Sequence, residues 1–351
     1  MDSFEKQRKY IGHDFQIFGV REARLSGGKE DNVRIVEVKN GAGLEFTVVP
    51  DRALDIANFS YKGVNCAFMA KNGIVNPQYY VEKGKECFYR NFYGGMLYTC
   101  GMTHMGAPCV DDGRELGLHG PLSATPAEGF SARIEGSDVP VAVIRGTMRQ
   151  TAVYDEYIIM DREIRVPFND NRIILHDSVT NKGYGEQPFM FLYHFNFGYP
   201  LLSEHARLVF PEKEMIPRDE IAKSGADNRF KVDKPEDLRP EECFFFRFYA
   251  ESDGRSAAML INDSIGIAVV LRFNINQLAY ITEWKSMMSG DYALGINPGT
   301  YTPMGRVHAR EHQKLTFIQP GETKHFDFSL EILDDASEIE KAEQYIRSLK
   351  G

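Results

Sequence analysis

The residues best suited to chemistry are a histidine and a glutamate far apart in the chain. His194 lies in Tyr193-His194-Phe195-Asn196-Phe197, an imidazole within an aromatic, strand-like run. Glu322 follows Gln319-Pro320-Gly321, a turn that can aim a carboxylate into a cleft from the end of a strand. A carboxylate and an imidazole on opposite sides of one small molecule form an acid/base pair that works near neutral pH. Alternation along the strand turns His194 away from the rings of Tyr193, Phe195 and Phe197, with Asn196 excluded from its face. His119, in Gly117-Leu118-His119-Gly120, is a turn residue able to reach a ligand. The plainer alternatives are an exposed turn glutamate, a satisfied core histidine and a solvated loop histidine.

A second group of residues points to recognition rather than proton transfer. Asn297 and Arg306 flank the Pro/Gly/Tyr-rich stretch 298–305, which suits either hydroxyl recognition or an ordinary connection. Trp284, the only tryptophan, can stack on a ring or fill core. Arg52 and Asp55 read as a structural ion pair at a strand end. Cys100, His104 and Cys109, with Cys87 nearby, lack the tight Cys pairs of a zinc site, so no metal is expected. There is no Gly-rich phosphate cradle, nucleophile elbow or Ser/His/Asp order, and no cofactor is expected.

The 351 residues carry a formal charge of −9 without a basic stripe, which argues against nucleic acid, since phosphate contacts need clustered Lys and Arg. No apolar run approaches the ~20 residues of a membrane span. Neutral small molecules are the easier ligand class. The first residues, MDSFEKQRKYIGHDFQ, are charged and lack the apolar stretch of a secretory signal, so the expected compartment is the cytoplasm. Five cysteines, an odd count with no CxxC pair, suit free thiols there.

What must position these residues is mostly strand. Runs such as 33–39, 44–49, 172–180, 257–261 and 266–273 alternate apolar and polar residues and stop at Gly, Asn, Asp or Pro. One segment reads clearly as helix, at about 337–350, with Ser337 and Glu340 as a capping box and Ile339, Ala342, Tyr345, Ile346 and Leu349 on one face. It is expected to pack outside a sheet. The charged stretch from Pro211 to Pro240 reads as a surface excursion that lines a pocket or covers an edge. With no linker or repeat, residues 1–351 are expected to form a single β-sandwich domain.

Three segments, in order, carry a family resemblance. The turn at Gly117-Leu118-His119-Gly120, the strand at Tyr193-His194-Phe195-Asn196-Phe197 and the turn at Gln319-Pro320-Gly321-Glu322 resemble those of the aldose 1-epimerases, or galactose mutarotases. The resemblance runs from about residue 30 to 333, to a divergent branch with signatures such as Pro50-Asp51-Arg52-Ala53-Leu54-Asp55-Ile56. It implies an all-β fold, a large antiparallel β-sandwich of the galactose mutarotase-like supersandwich type with few helices. It also implies acid/base chemistry at the anomeric carbon of a free sugar, with Glu322 and His194 catalytic and His119 holding the ring. Arg52, Arg90, Asn196, Asn297 and Arg306 complete the expected sugar contacts. Activity would rise as the carboxylate ionises and fall as the imidazolium loses its proton.

Two departures from the family pattern bear on the substrate. Asn297-Pro298 stands where the family usually has Glu-Pro, and the family's Gly-Arg arginine is missing from Tyr93-Gly94-Gly95-Met96, leaving Arg90 or Arg52 to supply the cation. These departures keep open a sugar-binding protein without catalysis, and another epimerisation or lyase step on a modified sugar.

Overall fold

The alternating runs fold into antiparallel strands that account for 47% of the chain against 14% helix, which makes it all-β. The computed structural model describes residues 3–136 and 139–350. A twelve-stranded and an eight-stranded sheet hold nearly all the strands, and a two-stranded hairpin stands apart. Among the described residues no helix is long and apolar enough to cross a membrane. All five cysteines are free.

The strand Gln187–Phe197, in the middle of the larger sheet, shows how sequence period becomes architecture. Its odd residues Phe189, Phe191, Tyr193, Phe195 and Phe197 enter the main apolar core. There Phe191 stacks on Phe326 at 5.1 Å and Tyr193 meets Phe328 edge-on at 4.5 Å, both partners lying on strand Thr323–Leu333 of the smaller sheet. Its even residues Met190, Leu192, His194 and Asn196 face the other way. Asn196 therefore shares the face of His194, which corrects the expected exclusion: residues two apart on a strand point the same way.

A buried ion triad also ties the sheets together. Arg162, from the smaller sheet, bonds Asp177 through Nε and Nη2 at 2.9 and 2.7 Å and Asp55 of the larger sheet through Nη1 at 2.9 Å. The remaining N–H groups reach Ala53 O and Thr99 Oγ1, so all five guanidinium donors are used. Asp55 is thus paired with Arg162 and not with Arg52, another correction to the sequence reading. Arg52 is instead wholly buried and donates to the carbonyls of Ser123, Val75 and Asn91.

The terminal helix spans Ala336–Ser348 and packs Ala342 and Ile346 against Val209, Met259 and Val270, on the outside of the smaller sheet as expected. Its cap is Asp335, whose carboxylate accepts from Ser337 N and Glu338 N, because Ser337 is already inside the first turn. In the charged excursion, Glu212–Pro217 pairs with strand Glu242–Phe248 at the edge of the larger sheet. The chain then turns through Arg218, which reaches the cavity described next. The excursion does both things the sequence allowed.

Candidate functional site

Three adjacent strands of the larger sheet form the floor of a cavity of about 870 Å³, within the size range of small-molecule sites. His194 comes from Gln187–Phe197, Asn297 from Asp291–Gly299, and Thr282 and Trp284 from Tyr280–Met288. Thr282 and Asn297 are direct register partners, and the pairing of Phe195 with Ile296 sets His194 level with Asn297 on the next strand. The row Thr282–Asn297–His194 thus runs straight across the sheet. Gly295 makes room for it: a Cβ there would lie 2.7 Å from Asn297 Nδ2 and 3.1 Å from Trp284 Cβ.

His119 enters from a turn rather than a strand. Its backbone takes φ 66°, a left-handed conformation that non-glycine residues adopt rarely, often where function holds them. Hydrogen bonds fix that backbone on both sides, from His119 N to Gly106 O and from Gly101 N to His119 O. Its Nδ1 accepts from Gly106 N at 3.3 Å, which leaves Nε2 as the protonated nitrogen of the neutral ring. His104, beneath, ties its Nε2 to Gly117 O and braces the turn.

The rings of His119 and His194 meet edge to face at 5.8 Å between centroids. Burial pushes His194 down to about 4, only partly offset by the Asn196 side chain. His119 is held well below its ordinary value by burial first, then by the neighbouring imidazoles. Both are uncharged at neutral pH. Trp284 packs on His194 at 5.4 Å, with Phe92 and Phe68 at 6.2 and 6.4 Å from the indole. Its Nε1 donates to Glu241 at 2.6 Å, and Glu241 in turn accepts from Arg218 at 2.7 Å. This chain of contacts fixes the indole plane.

Of the residues singled out in the sequence, His119, His194, Asn297 and Trp284 converge on the cavity. Glu322 does not. The Pro320-Gly321 turn caps itself with the Glu322 carboxylate, which accepts from Gln319 N and Lys324 Nζ, each at 2.7 Å. That turn docks on Asn181, at the end of a strand of the smaller sheet, while the cavity lies on the outer face of the larger one. Arg52 and Arg306 are structural as well, Arg306 being paired with Asp111 at 2.6 Å. Arg90 is exposed after the short helix Glu86–Tyr89, and Asn196, on the face of His194, donates to Gly95 O and His194 O. None of these four lines the cavity. Sequence reasoning missed Thr282, Glu241 and Arg218. For Thr282 a signal existed, its period-two spacing from Trp284.

The far face of the Trp284 strand carries a second consequence of burial. Glu283 is fully buried, and neither carboxyl oxygen has a partner among the described residues. Burial raises it from 4.5 to about 8, against the pull of Lys285 and Arg229. A folded value above the unfolded one means stability that is full below pH ~4.5 and is lost as pH rises toward 8. Each pH unit crossed in that window costs about 1.4 kcal/mol. Glu283→Gln is therefore expected to raise the melting temperature at pH 8.5, with the gain vanishing near pH 4.5. Melts at the two pH values check this, and a gain independent of pH would contradict it.

The comparisons with known proteins bear on the family and the fold. A family model described as a domain of unknown function, DUF4432, matches residues 30–332. The chain belongs to this family. Among solved structures, this DUF4432 member is similar to a candidate aldose 1-epimerase from Klebsiella pneumoniae subsp. pneumoniae, at 26% identity and a TM-score of 0.90 over 95% of this chain and 88% of that one. A galactose mutarotase-like protein from Clostridium acetobutylicum shares the fold at 14% identity and a TM-score of 0.66, over 91% and 100% of the two chains. So does galactose 1-epimerase from Lactobacillus acidophilus NCFM, at 13% identity and 0.59, over 90% and 99%. No curated protein matches the chain. The DUF4432 chain thus has the all-β galactose mutarotase-like fold.

Proposed function

We propose that the cavity takes a free aldose and interconverts its anomers, with His194 as the proton acceptor and His119 as a hydrogen-bond donor to the ring oxygen. The observation that carries this reading is the pair of uncharged imidazoles 5.8 Å apart in one aromatic-walled cavity. His194 takes the proton of the anomeric hydroxyl as the bond from C1 to the ring oxygen breaks and the aldehyde forms. The proton then passes to the ring oxygen, which Nε2–H of His119 polarises; a neutral imidazole can serve as such an electrophile. Rotation about C1–C2 and the reverse steps close the other anomer. The apolar face of the sugar rests on Trp284. Similarity to the candidate aldose 1-epimerase supports the same chemistry.

A second reading, sugar binding without turnover, draws support from the carboxylates. Glu322 lies outside the cavity, Asn297 is uncharged, and the cavity's own Glu241 and Asp291 are bound to Arg218 and Lys71. Binding is tested by intrinsic fluorescence, because the only tryptophan, Trp284, lines the cavity. A panel of aldoses is expected to yield at least one that shifts its emission saturably. No response to any aldose would end both readings.

The position of Glu322 has its own consequence for rate. Glu322→Gln is expected to exchange anomers as fast as the wild type, with at most a small loss of stability from an exposed turn. A hundredfold slower rate would return Glu322 to the mechanism.

A further inference from the structure

The floor of the cavity holds more hydrogen-bonding capacity than the proton transfer uses. Thr282 and Asn297 are 3% and 1% exposed, and neither Thr282 Oγ1 nor Asn297 Oδ1 has a partner among the described residues. A buried polar atom without a partner costs stability, so such atoms are rare unless a water or ligand completes them. Here two occur side by side across one strand pair, both on residues that line the cavity. His194 continues the row on the next strand.

We propose that Thr282 and Asn297 form a subsite for two adjacent sugar hydroxyls, those on C2 and C3. This rests on the reading of His194 as the group at the anomeric hydroxyl. Neighbouring strands lie about 4.8 Å apart, so the three side chains span roughly 10 Å. That length matches a row of three consecutive ring hydroxyls with hydrogen bonds reaching outward. With the anomeric hydroxyl at His194, its neighbour on C2 falls at Asn297 and the next, on C3, at Thr282. A threonine hydroxyl donates and accepts, and an asparagine amide offers both an acceptor and donors, so each can serve a sugar hydroxyl. C4 and C6 lie beyond the three hydroxyls that this row would hold, so the row sets no requirement there. The substrate class is therefore an aldose with free hydroxyls on C2 and C3 and latitude at C4 and C6.

The test uses the full chain and Trp284 emission, with the best-binding aldose of the panel beside its 2-deoxy, 3-deoxy and 6-deoxy forms. The 2-deoxy and 3-deoxy sugars are expected to bind roughly tenfold more weakly, as for one lost hydrogen bond each, and the 6-deoxy sugar within about twofold. Thr282→Val keeps the shape and β-branching of the strand residue while removing its hydroxyl. It should weaken the parent sugar roughly tenfold and no longer distinguish it from the 3-deoxy form. Thr282→Ser should restore the distinction, which a merely structural role for Thr282 would not do. Equal binding of the parent and both deoxy sugars, or unchanged selectivity in Thr282→Val, would overturn the subsite and leave the sugar reading standing. Failure of every aldose to perturb Trp284 would overturn both.

Discussion

His194→Gln is expected to slow anomer exchange by roughly 10²–10⁴-fold, the usual cost of removing a positioned base. Glutamine keeps a planar polar group on the floor of the cavity but cannot take a proton. Binding should change far less than rate, since Asn297, Thr282 and Trp284 stay in place. The pH profile sharpens the assignment. A buried imidazole at about 4 is already unprotonated across the neutral range. Activity should therefore rise as pH increases through about 4 and then stay level past 7. The sequence alone suggested a fall near neutrality, on the assumption of an imidazolium acid; burial removes that charged form. A fall centred near pH 6.5 in the wild type, absent from His194→Gln, would contradict the account.

Arg162→Met is expected to cost about 3–5 kcal/mol of stability. The substitution removes the one cation shared by Asp55 and Asp177 and leaves both carboxylates fully buried. It also removes the hydrogen bonds that Thr99 Oγ1 and Ala53 O accept from Arg162 across the two sheets, though Thr99 Oγ1 still donates to Asp55. Lysine cannot rescue it, because a single ammonium cannot reproduce the five-donor fork. Urea melts should show a lower midpoint at an unchanged slope. Neutralising the acids in the same background, with Asp55→Asn and Asp177→Asn, should recover part of the loss. A cost below about 1 kcal/mol for Arg162→Met would mean that the acids find other partners.

The fold was legible because its signals are local. Period-two runs closed by turn residues needed no knowledge of partners, and the face of Ala342 and Ile346 announced an amphipathic helix. The helix cap was misread by two residues, since Asp335 and Ser337 both carry capping oxygens and only backbone geometry chooses between them. The site was half legible. His119 and His194 stood out as histidines in a glycine turn and an aromatic strand, and the cavity holds both. Glu322 failed because a Pro-Gly-Glu turn is the same string whether its carboxylate enters a cleft or caps its own backbone. Arg52 and Arg306 failed for a related reason: an arginine that pins buried carbonyls or an aspartate looks, in sequence, like one awaiting a ligand. Thr282 shared a face with Trp284 by its spacing, but its place beside Asn297 depends on cross-strand register, and Glu241 and Arg218 were invisible because their roles depend on the path of the excursion, both set by tertiary pairing.

If the cavity moves a proton on a bound free sugar, the two anomers of that sugar must interconvert faster in its presence. Magnetisation-exchange NMR measures this directly, by following transfer between the two anomeric proton signals of an aldose with and without the protein. An aldose that shifts Trp284 emission is expected to exchange its anomers faster than in buffer as well, and His194→Gln is expected to remove the excess. Saturable binding with exchange no faster than buffer, for every aldose that binds, would contradict proton transfer in this cavity and leave a sugar-binding protein without turnover.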